Sequence, residues 1–413
     1  MRLIETLPLL RPTPPPAPYG ARSLARCYSI EDVADKARRR LPSGARAYLD
    51  GGAAGEYTLR RNRAAFDELE LVPDMPRRVD SIDTGTTVLG RHTPLPIVLS
   101  PVGGPRMFHP DGELAVARAA RHAGIPYAIS TLATASVEAV ATAAQGEIPL
   151  WFQLYVWGDR REARQAVQRA RAAGFSALLL SIDTTVRSKR EREKRAGLEL
   201  PLPHLSASTL LDGALHPRWS LGFLSSETIS FPNIGPPDHR SRGKLEDMFD
   251  GTVSIDDHDW IRELWEGPIL LKGVLRPEEA RRAADAGLDG VIVSNHGGRQ
   301  LDHAPATIDV LPEIVEAAGD RLEVLVDSGF RRGSDILTAI ALGARAVLVG
   351  RAHLYGLAAA GEAGVRHCID ILEGELRMAM GLTGMRSLDE VGPDLLRRRV
   401  PAGAPARSTL ESA

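Results

Sequence analysis

Ser294-Asn295-His296-Gly297-Gly298-Arg299-Gln300-Leu301-Asp302 is the stretch whose reading decides this chain. The apolar run Gly290-Val291-Ile292-Val293 precedes it, with the length and branching of a buried strand. Gly297 and Gly298 then allow a sharp turn and a close approach of the backbone to a ligand. A histidine and an arginine are thereby expected together at the carboxyl end of a strand. In parallel α/β folds that end gathers ligands and catalytic groups. An imidazole titrates near neutrality and a guanidinium is a fixed cation, so the pair suits an anionic substrate that must lose a proton. Taken alone, the stretch reads more readily as a polar turn with a solvated arginine and a capping histidine. The rest of the chain reverses that.

Outward from this stretch the sequence is rhythmic. Apolar runs of strand length occupy 95–100, 127–130, 150–156, 177–183, 269–273, 291–295, 324–329 and 346–350. They lack polar alternation, as strands buried on both faces do. Amphipathic helical stretches fall between them at 113–123, 137–144, 160–173, 277–286, 307–318 and 334–342. Gly124, Gly174, Gly287 and Gly343 each stand where such a helix should stop. Eight such units predict an α/β fold of the (β/α)8 TIM-barrel type, spanning 95–385. A doubly wound sheet is the alternative, but no GxGxxG turn follows the first strand.

The flanks divide further. Residues 1–26, with Pro12, Pro14, Pro15, Pro16 and Pro18, read as a flexible tail, or as an arm docked on a partner subunit. Residues 27–94 read as an N-terminal helical cap, with Ser29 capping its first helix. Residues 184–257 break the rhythm and read as a long insertion after strand four, lying as a lid over the mouth of the site. Its apolar residues Leu221, Phe223, Leu224, Ile229 and Phe231 are expected to pack on the barrel, with a membrane or partner contact as the alternative. Residues 386–413 read as a C-terminal tail.

Composition excludes several classes. With 413 residues and 43% hydrophobic content there is ample material for a large core. A net charge of −2 gives no ground for nucleic-acid binding. Cys27 and Cys368 suggest neither a disulfide framework nor a metal site, and fit a reducing, cytoplasmic setting. No apolar run is long enough to span a membrane, and the N-terminal one is too short for a secretory signal.

If the strands end at one rim, their terminal residues meet. Strand one ends in Ser100-Pro101-Val102-Gly103-Gly104, a small-residue turn that admits a planar ligand. Gln153 and Tyr155, two apart on strand three, point the same way. Strand seven ends in the run from Asp327 to Gly333, and strand eight in Gly350-Arg351. Backbone N–H groups, helix starts and arginines at these two ends make the usual phosphate site of this barrel. Lys272 at the end of strand five is placed to stabilise negative charge on a reduced flavin, or is a solvated rim lysine. Asp183 is a candidate partner for His296, since a carboxylate holds the imidazolium formed on proton abstraction; a turn cap is the alternative.

From about residue 29 to 387 the chain resembles the FMN-dependent 2-hydroxy acid oxidases and dehydrogenases, the family of glycolate and lactate oxidases and of lactate and mandelate dehydrogenases. The resemblance rests on Phe152-Gln153-Leu154-Tyr155-Val156, Lys272-Gly273-Val274, Ser294 to Asp302, Arg331-Arg332-Gly333 and Ala341-Leu342-Gly343-Ala344. It implies His296 as the base, Arg190 and Arg299 as the pair gripping the substrate carboxylate, and Tyr48 and Tyr155 as orienting hydroxyls. For FMN it implies Pro101, Val102, Gly103, Ser130, Gln153, Ser181, Lys272, Ser294, Gly297, Asp327, Gly329, Arg331, Gly350 and Arg351. The implied reaction oxidises a small L-2-hydroxy acid to the 2-keto acid and passes electrons to a quinone, oxygen or a carrier protein. The family resemblance also implies a homotetramer.

Four positions depart from the family pattern. Val102 and Gly103 stand where Thr and Ala are common, which looks more like some dehydrogenases and lactate monooxygenase than the oxidases. Gly103 should leave room beside the flavin and weighs against oxygen as acceptor. Leu132 replaces a common aromatic, and Ser328 a glycine. Three other readings are weighed. A flavoprotein of mycofactocin-type peptide maturation is disfavoured by the retained Arg299-Gln300. A flavin-binding protein without turnover is disfavoured by the intact Tyr48, Tyr155, Asp183, Arg190, His296 and Arg299. An isopentenyl diphosphate isomerase, another FMN barrel, has no use for the arginine pair.

Overall fold

Eight strands pair in parallel, in chain order, and the last returns to the first: β1 (Ile97–Leu99), β2 (Tyr127–Ser130), β3 (Leu150–Leu154), β4 (Ala177–Ser181), β5 (Ile269–Val274), β6 (Gly290–Val293), β7 (Glu323–Asp327) and β8 (Ala346–Val349). The expected (β/α)8 barrel is therefore the fold. The computed structural model describes residues 21–74, 77–156, 160–198, 206–234 and 251–399.

Before the barrel lie α1 (Ile30–Arg40), α2 (Ser43–Asp50) and α3 (Tyr57–Ala64). Ser29 caps α1 through a reciprocal box with Asp32. The outer layer is α4 (Gly112–Ala123), α5 (Val137–Ala144), α6 (Arg160–Ala172), α11 (Pro277–Asp285), α12 (Thr307–Ala318), α13 (Gly333–Ala341), α14 (Arg351–Ala360) and α15 (Glu362–Thr383). Gly124 ends α4 in the left-handed conformation, as its place in the sequence predicts. The interval between β4 and β5 carries α7 (Glu191–Arg195), α8 (Ala207–Leu215), α9 (Pro217–Ser225) and α10 (Asp257–Arg262).

The barrel interior explains where the site must be. Val98, Ala128, Trp151, Leu179, Leu270, Ile292, Leu325 and Leu348, one from each strand, form a single inward cluster. Val88, on the hairpin of Thr86–Val88 with Arg91–Thr93, joins that cluster and closes the amino-terminal end. Side chains alternate along a strand, so the next inward position lies two residues further on. Those positions are Ser100, Ser130, Gln153, Ser181, Lys272, Ser294, Asp327 and Gly350. An apolar plug thus gives way within one step to a polar floor at the carboxyl end.

Two expectations need correction. The described part of the insertion after β4 is helical, and residues 206–234 do not line the cavity at the mouth of the barrel. They pack beside it. Asp212 accepts from the Ser43 N–H at 2.6 Å, Trp219 Nε1 donates to the Met107 carbonyl at 2.8 Å, and Asn233 accepts from the Val137 N–H at 3.1 Å. Residues 199–205 and 235–250 lie outside the described residues. The chain also stays ordered beyond 386. Leu396–Arg398 pairs antiparallel with Leu69–Leu71, and buried Leu388 and Leu395 hold it there. In the N-terminal tail, residues 1–20 lie outside the described residues, and Leu24 is already buried.

Candidate active site

The polar floor holds two hydrogen-bonded clusters. Ser130 Oγ donates to Gln153 Oε1 at 2.9 Å, and Gln153 Nε2 donates to Ser181 Oγ at 3.0 Å. Across the barrel, Lys272 Nζ reaches Ser294 Oγ at 2.7 Å and Asp327 Oδ2 at 2.8 Å. Ser294 donates to the same carboxylate at 2.9 Å. Lys272 is 4% exposed, so it is a buried cation and not a solvated rim lysine. Burial pushes its pKa down, but Asp327 and Asp183 outweigh this and hold it above the usual lysine value. A cation kept charged here can face developing negative charge.

Above the floor, β6 ends in a turn in which His296, Gly297 and Gly298 all have positive φ, at 58°, 65° and 73°. Left-handed backbone costs a non-glycine residue roughly 1 kcal/mol or more. At His296 it aims the ring across the mouth. Nδ1 lies 3.1 and 3.0 Å from the two oxygens of Asp183, and Nε2 lies 3.2 Å from the Tyr155 hydroxyl. Burial raises the Asp183 pKa, but His296, and then Lys272, outweigh it and keep the carboxyl below its usual range. An ionised carboxylate only accepts, so Nδ1 carries the proton. Nε2 is left as the basic nitrogen, accepting from Tyr155. Burial, and then the charge on Asp183, push the Tyr155 pKa up, so that hydroxyl stays a donor.

Gly273 is the enabling residue for this dyad. It sits in a bulge of β5 with φ 107°, and a Cβ there would come within 2.7 Å of Asp183 Cβ. The glycines of the His296 turn make room for protein, where the sequence suggested a ligand. A Cβ at Gly298 would meet the Leu59 backbone at 2.6 Å, and one at Gly297 the Arg351 guanidinium at 2.9 Å.

Arg299 and Arg351 both grip the end of α2. Arg299 Nη1 donates to the carbonyls of Tyr48 and Gly51 at 2.8 and 2.9 Å. Arg351 donates to those of Leu49, Gly51 and Gly297. Cations at a helix carboxyl end satisfy its orphan carbonyls and its dipole. Tyr48 is thereby fixed over the site, its ring 4.6 Å from the Arg299 guanidinium carbon and its hydroxyl donating to the Gly103 carbonyl at 3.2 Å. Arg190 approaches from the start of α7. Burial and the nearby Arg299 hold its pKa below the usual arginine value, and Glu193 works against them. Glu193 itself is buried, 2.9 Å from Arg299 and 3.9 Å from Arg190.

The structure thus brings together Tyr48, Tyr155, Asp183, Arg190, Lys272, His296 and Arg299 around one mouth. Pro101, Val102, Gly103, Gln153, Ser181, Lys272, Asp327, Gly329, Arg331, Gly350 and Arg351 line the same cavity. Ser130 and Ser294 sit beneath it as hydrogen-bond partners of Gln153 and Lys272. Sequence reasoning missed Glu193, Asn62, Arg63 and Phe108. Glu193 stands three residues after Arg190, a helical spacing that offered a signal; Arg63 reaches the cavity from the cap and offered none.

Two details differ from expectation. The N–H groups of Arg331 and Arg332 donate to Asp335, and that of Gly333 to Glu375, so this helix start is satisfied internally. The start of α14, at Gly350-Arg351, is the better phosphate seat. The space beside Gly103 is not open: an added Cβ would lie 3.1 Å from Leu132 Cβ and 3.4 Å from the Tyr48 hydroxyl.

The donor set suits FMN. A buried lysine and a buried amide lie on the floor, arginines and a helix start stand on one side, and small residues flank the space. Residues 37–398 match the family described as FMN-dependent dehydrogenase. A relative in Mycobacterium tuberculosis (strain H37Rv) is 41% identical over 408 residues, covering 98% of each chain. The L-lactate dehydrogenase of Caulobacter vibrioides is 41% identical over 380 residues, covering 90% of this chain and 98% of that one. Among solved structures, an (S)-mandelate dehydrogenase described as a monotopic membrane protein superposes with a TM-score of 0.86 and 38% identity, over 91% of this chain and 100% of that one. The chain belongs to the FMN-dependent dehydrogenase family, with FMN as its cofactor.

Proposed function

We propose that this enzyme oxidises an L-2-hydroxy acid, between lactate and mandelate in size, to the 2-keto acid. The observation that carries the reading is the Asp183–His296–Tyr155 chain of hydrogen bonds beside the Arg190 and Arg299 guanidiniums. Bound FMN supplies the two-electron acceptor. Arg190 and Arg299 hold the substrate carboxylate, and the Tyr48 and Tyr155 hydroxyls orient the hydroxyl group. His296 Nε2 takes a proton from the substrate, and Asp183 stabilises the imidazolium that results. Similarity to proteins named L-lactate and (S)-mandelate dehydrogenase supports the size range, and Leu132 and Val102 leave the side-chain end of the pocket apolar.

We extend the proposal to location and assembly. Among the described residues no helix is long and apolar enough to cross a membrane. Leu210, Leu211, Leu215, Leu221 and Leu224 on α8 and α9 are nonetheless 63–79% exposed. That apolar face supports peripheral attachment to the cytoplasmic side of a membrane. The assembly we propose is the homotetramer implied by the family resemblance.

The test is an anaerobic visible spectrum of the purified holoenzyme with glycolate, L-lactate and (S)-mandelate in turn. Bleaching of the flavin by at least one is expected. A flavin that stays oxidised with all three would reject the substrate class.

A further inference from the structure

The cap reaches the cofactor cavity through one long side chain. Arg63, in the last turn of α3, lines that cavity together with Gly329, Arg331, Gly350 and Arg351. The helix is pressed onto the barrel here. A Cβ at Gly329 would lie 2.4 Å from the Asn62 carbonyl oxygen, and the Phe66 and Phe330 rings meet edge to face at 5.2 Å. Asn62 and Asn295 exchange side-chain hydrogen bonds at 2.9 and 2.7 Å, so the same turn of α3 also touches the strand end that carries His296.

Arg63 is held by one nitrogen. Its Nη1 donates to the Gly329 carbonyl and to Asp335 Oδ2. Nε and Nη2 have no acceptor among the described residues, which leaves one whole edge of the guanidinium fork for an oxyanion. Asp335 also accepts the N–H groups of Arg331 and Arg332, so one carboxylate both closes the start of α13 and anchors Arg63.

The charge at this end does not balance. Arg331 and Arg351 form no ion pair among the described residues and donate only to neutral carbonyls. Asp50, a carboxylate that also acts on Arg351, is engaged by Arg38 and by the Tyr355 hydroxyl. Burial, then Arg299 and Arg331, push the Arg351 pKa down to about 10. Arg63, Arg331 and Arg351 thus stand against the single carboxylate of Asp335, an excess of about two positive charges, and a phosphate monoester carries roughly −1.5 to −2 near neutral pH.

We propose that Arg63 is a cofactor-binding residue, the cap's own cation for the FMN phosphate, so that the phosphate seat spans cap and barrel. Binding of the cofactor thereby fastens α3 down, and the cap is fully docked only on loaded protein. The inference rests on FMN as the cofactor and is independent of which hydroxy acid is used.

The test dilutes holoenzyme in steps and reads released FMN by its fluorescence. Arg63→Met keeps the length of the side chain and removes its charge, and should weaken FMN about tenfold or more. Arg63→Lys keeps a cation for Asp335 but loses the fork, so folding is not at stake, and it should restore only part of the affinity. Holoenzyme exchanged into riboflavin, which has the same ring and no phosphate, should release flavin equally in wild type and both variants. Limited proteolysis is the second readout: FMN should protect α3 in wild type more than riboflavin does, and that difference should shrink in Arg63→Met. Unchanged FMN affinity in Arg63→Met overturns the proposal. So does an equal loss of FMN and riboflavin, which would make Arg63 only a tie between cap and barrel through Asp335. No hydroxy acid enters either readout, so the substrate reading stands or falls separately.

Discussion

Single residues here do their work through paired partners. His296 has a defined tautomer only because Asp183 is ionised and within 3.0 Å, and Asp183 is so placed only because Gly273 yields the space. His296→Ala should lower kcat by about 10²–10⁴-fold while the purified protein keeps its FMN absorbance. Asp183→Asn should keep the ring in place but cease to hold the imidazolium, so kcat falls far more than KM rises. Steady-state kinetics on both variants checks this, and wild-type kcat in either would reject the base assignment. Ser328, which departs from the family's glycine, is accounted for locally. Its φ is 80°, and its hydroxyl donates to Asp327 Oδ1 at 2.6 Å and accepts from the Gly297 N–H at 3.0 Å. Those bonds offset left-handed strain. Glu193 has another consequence: on the proposed binding mode, the substrate carboxylate would meet a guanidinium pair whose charge is already partly balanced.

At the scale of elements, the cap is fastened to the barrel by the same arginines that serve the site. Arg299 from the β6 turn and Arg351 from α14 converge on the carboxyl end of α2. Arg299→Lys keeps the charge but loses the fork that spans Tyr48, Gly51 and Glu193. Losing one charge-assisted bond is worth about 1.5–3 kcal/mol, so KM for the hydroxy acid should rise at least about tenfold. The α2 segment should also become more open to limited proteolysis. An unchanged KM would remove Arg299 from substrate binding. The strands and outer helices were legible because burial on one or both faces writes a period into the sequence. The insertion after β4 was not, because its helices α8 and α9 bury no residue fully and so carry no clean stripe. Its position beside the mouth depends on single bonds to Ser43 and Met107, which no periodicity encodes.

At the scale of the whole molecule, stability in acid is set partly by a buried histidine behind the start of α14. His353 is 2% exposed, its Nδ1 donates to the Val349 carbonyl at 2.6 Å, and burial pushes its pKa down to about 4. The unfolded chain binds that proton near the ordinary histidine value. Between the two values the unfolded state holds more protons, so this contribution is fully present above about pH 6.5 and is lost as pH falls toward 4. His353 alone should cost about 2 kcal/mol between pH 7 and 5. His353→Gln keeps a donor for Val349 and does not titrate, so its Tm should fall less over that interval. Parallel Tm–pH curves for the two proteins would show that His353 does not set the slope.

What the sequence determined by itself was periodic or local. The eight apolar runs marked strands buried on both faces, and eight such units without a GxGxxG turn after the first pointed to the barrel over a doubly wound sheet. The two-residue alternation then put Ser100, Ser130, Gln153, Ser181, Lys272, Ser294, Asp327 and Gly350 on one floor. What only the tertiary structure decided was which groups neutralise one another across long separations: Glu193 with Arg299, Lys272 with Asp327, α2 with two arginines, and, between the two readings the sequence left open, Asp183 with His296. Closing the barrel brings those pairs within 3 Å or so, and Coulomb and hydrogen-bond energies fall off too steeply for spacing along the chain to reveal them.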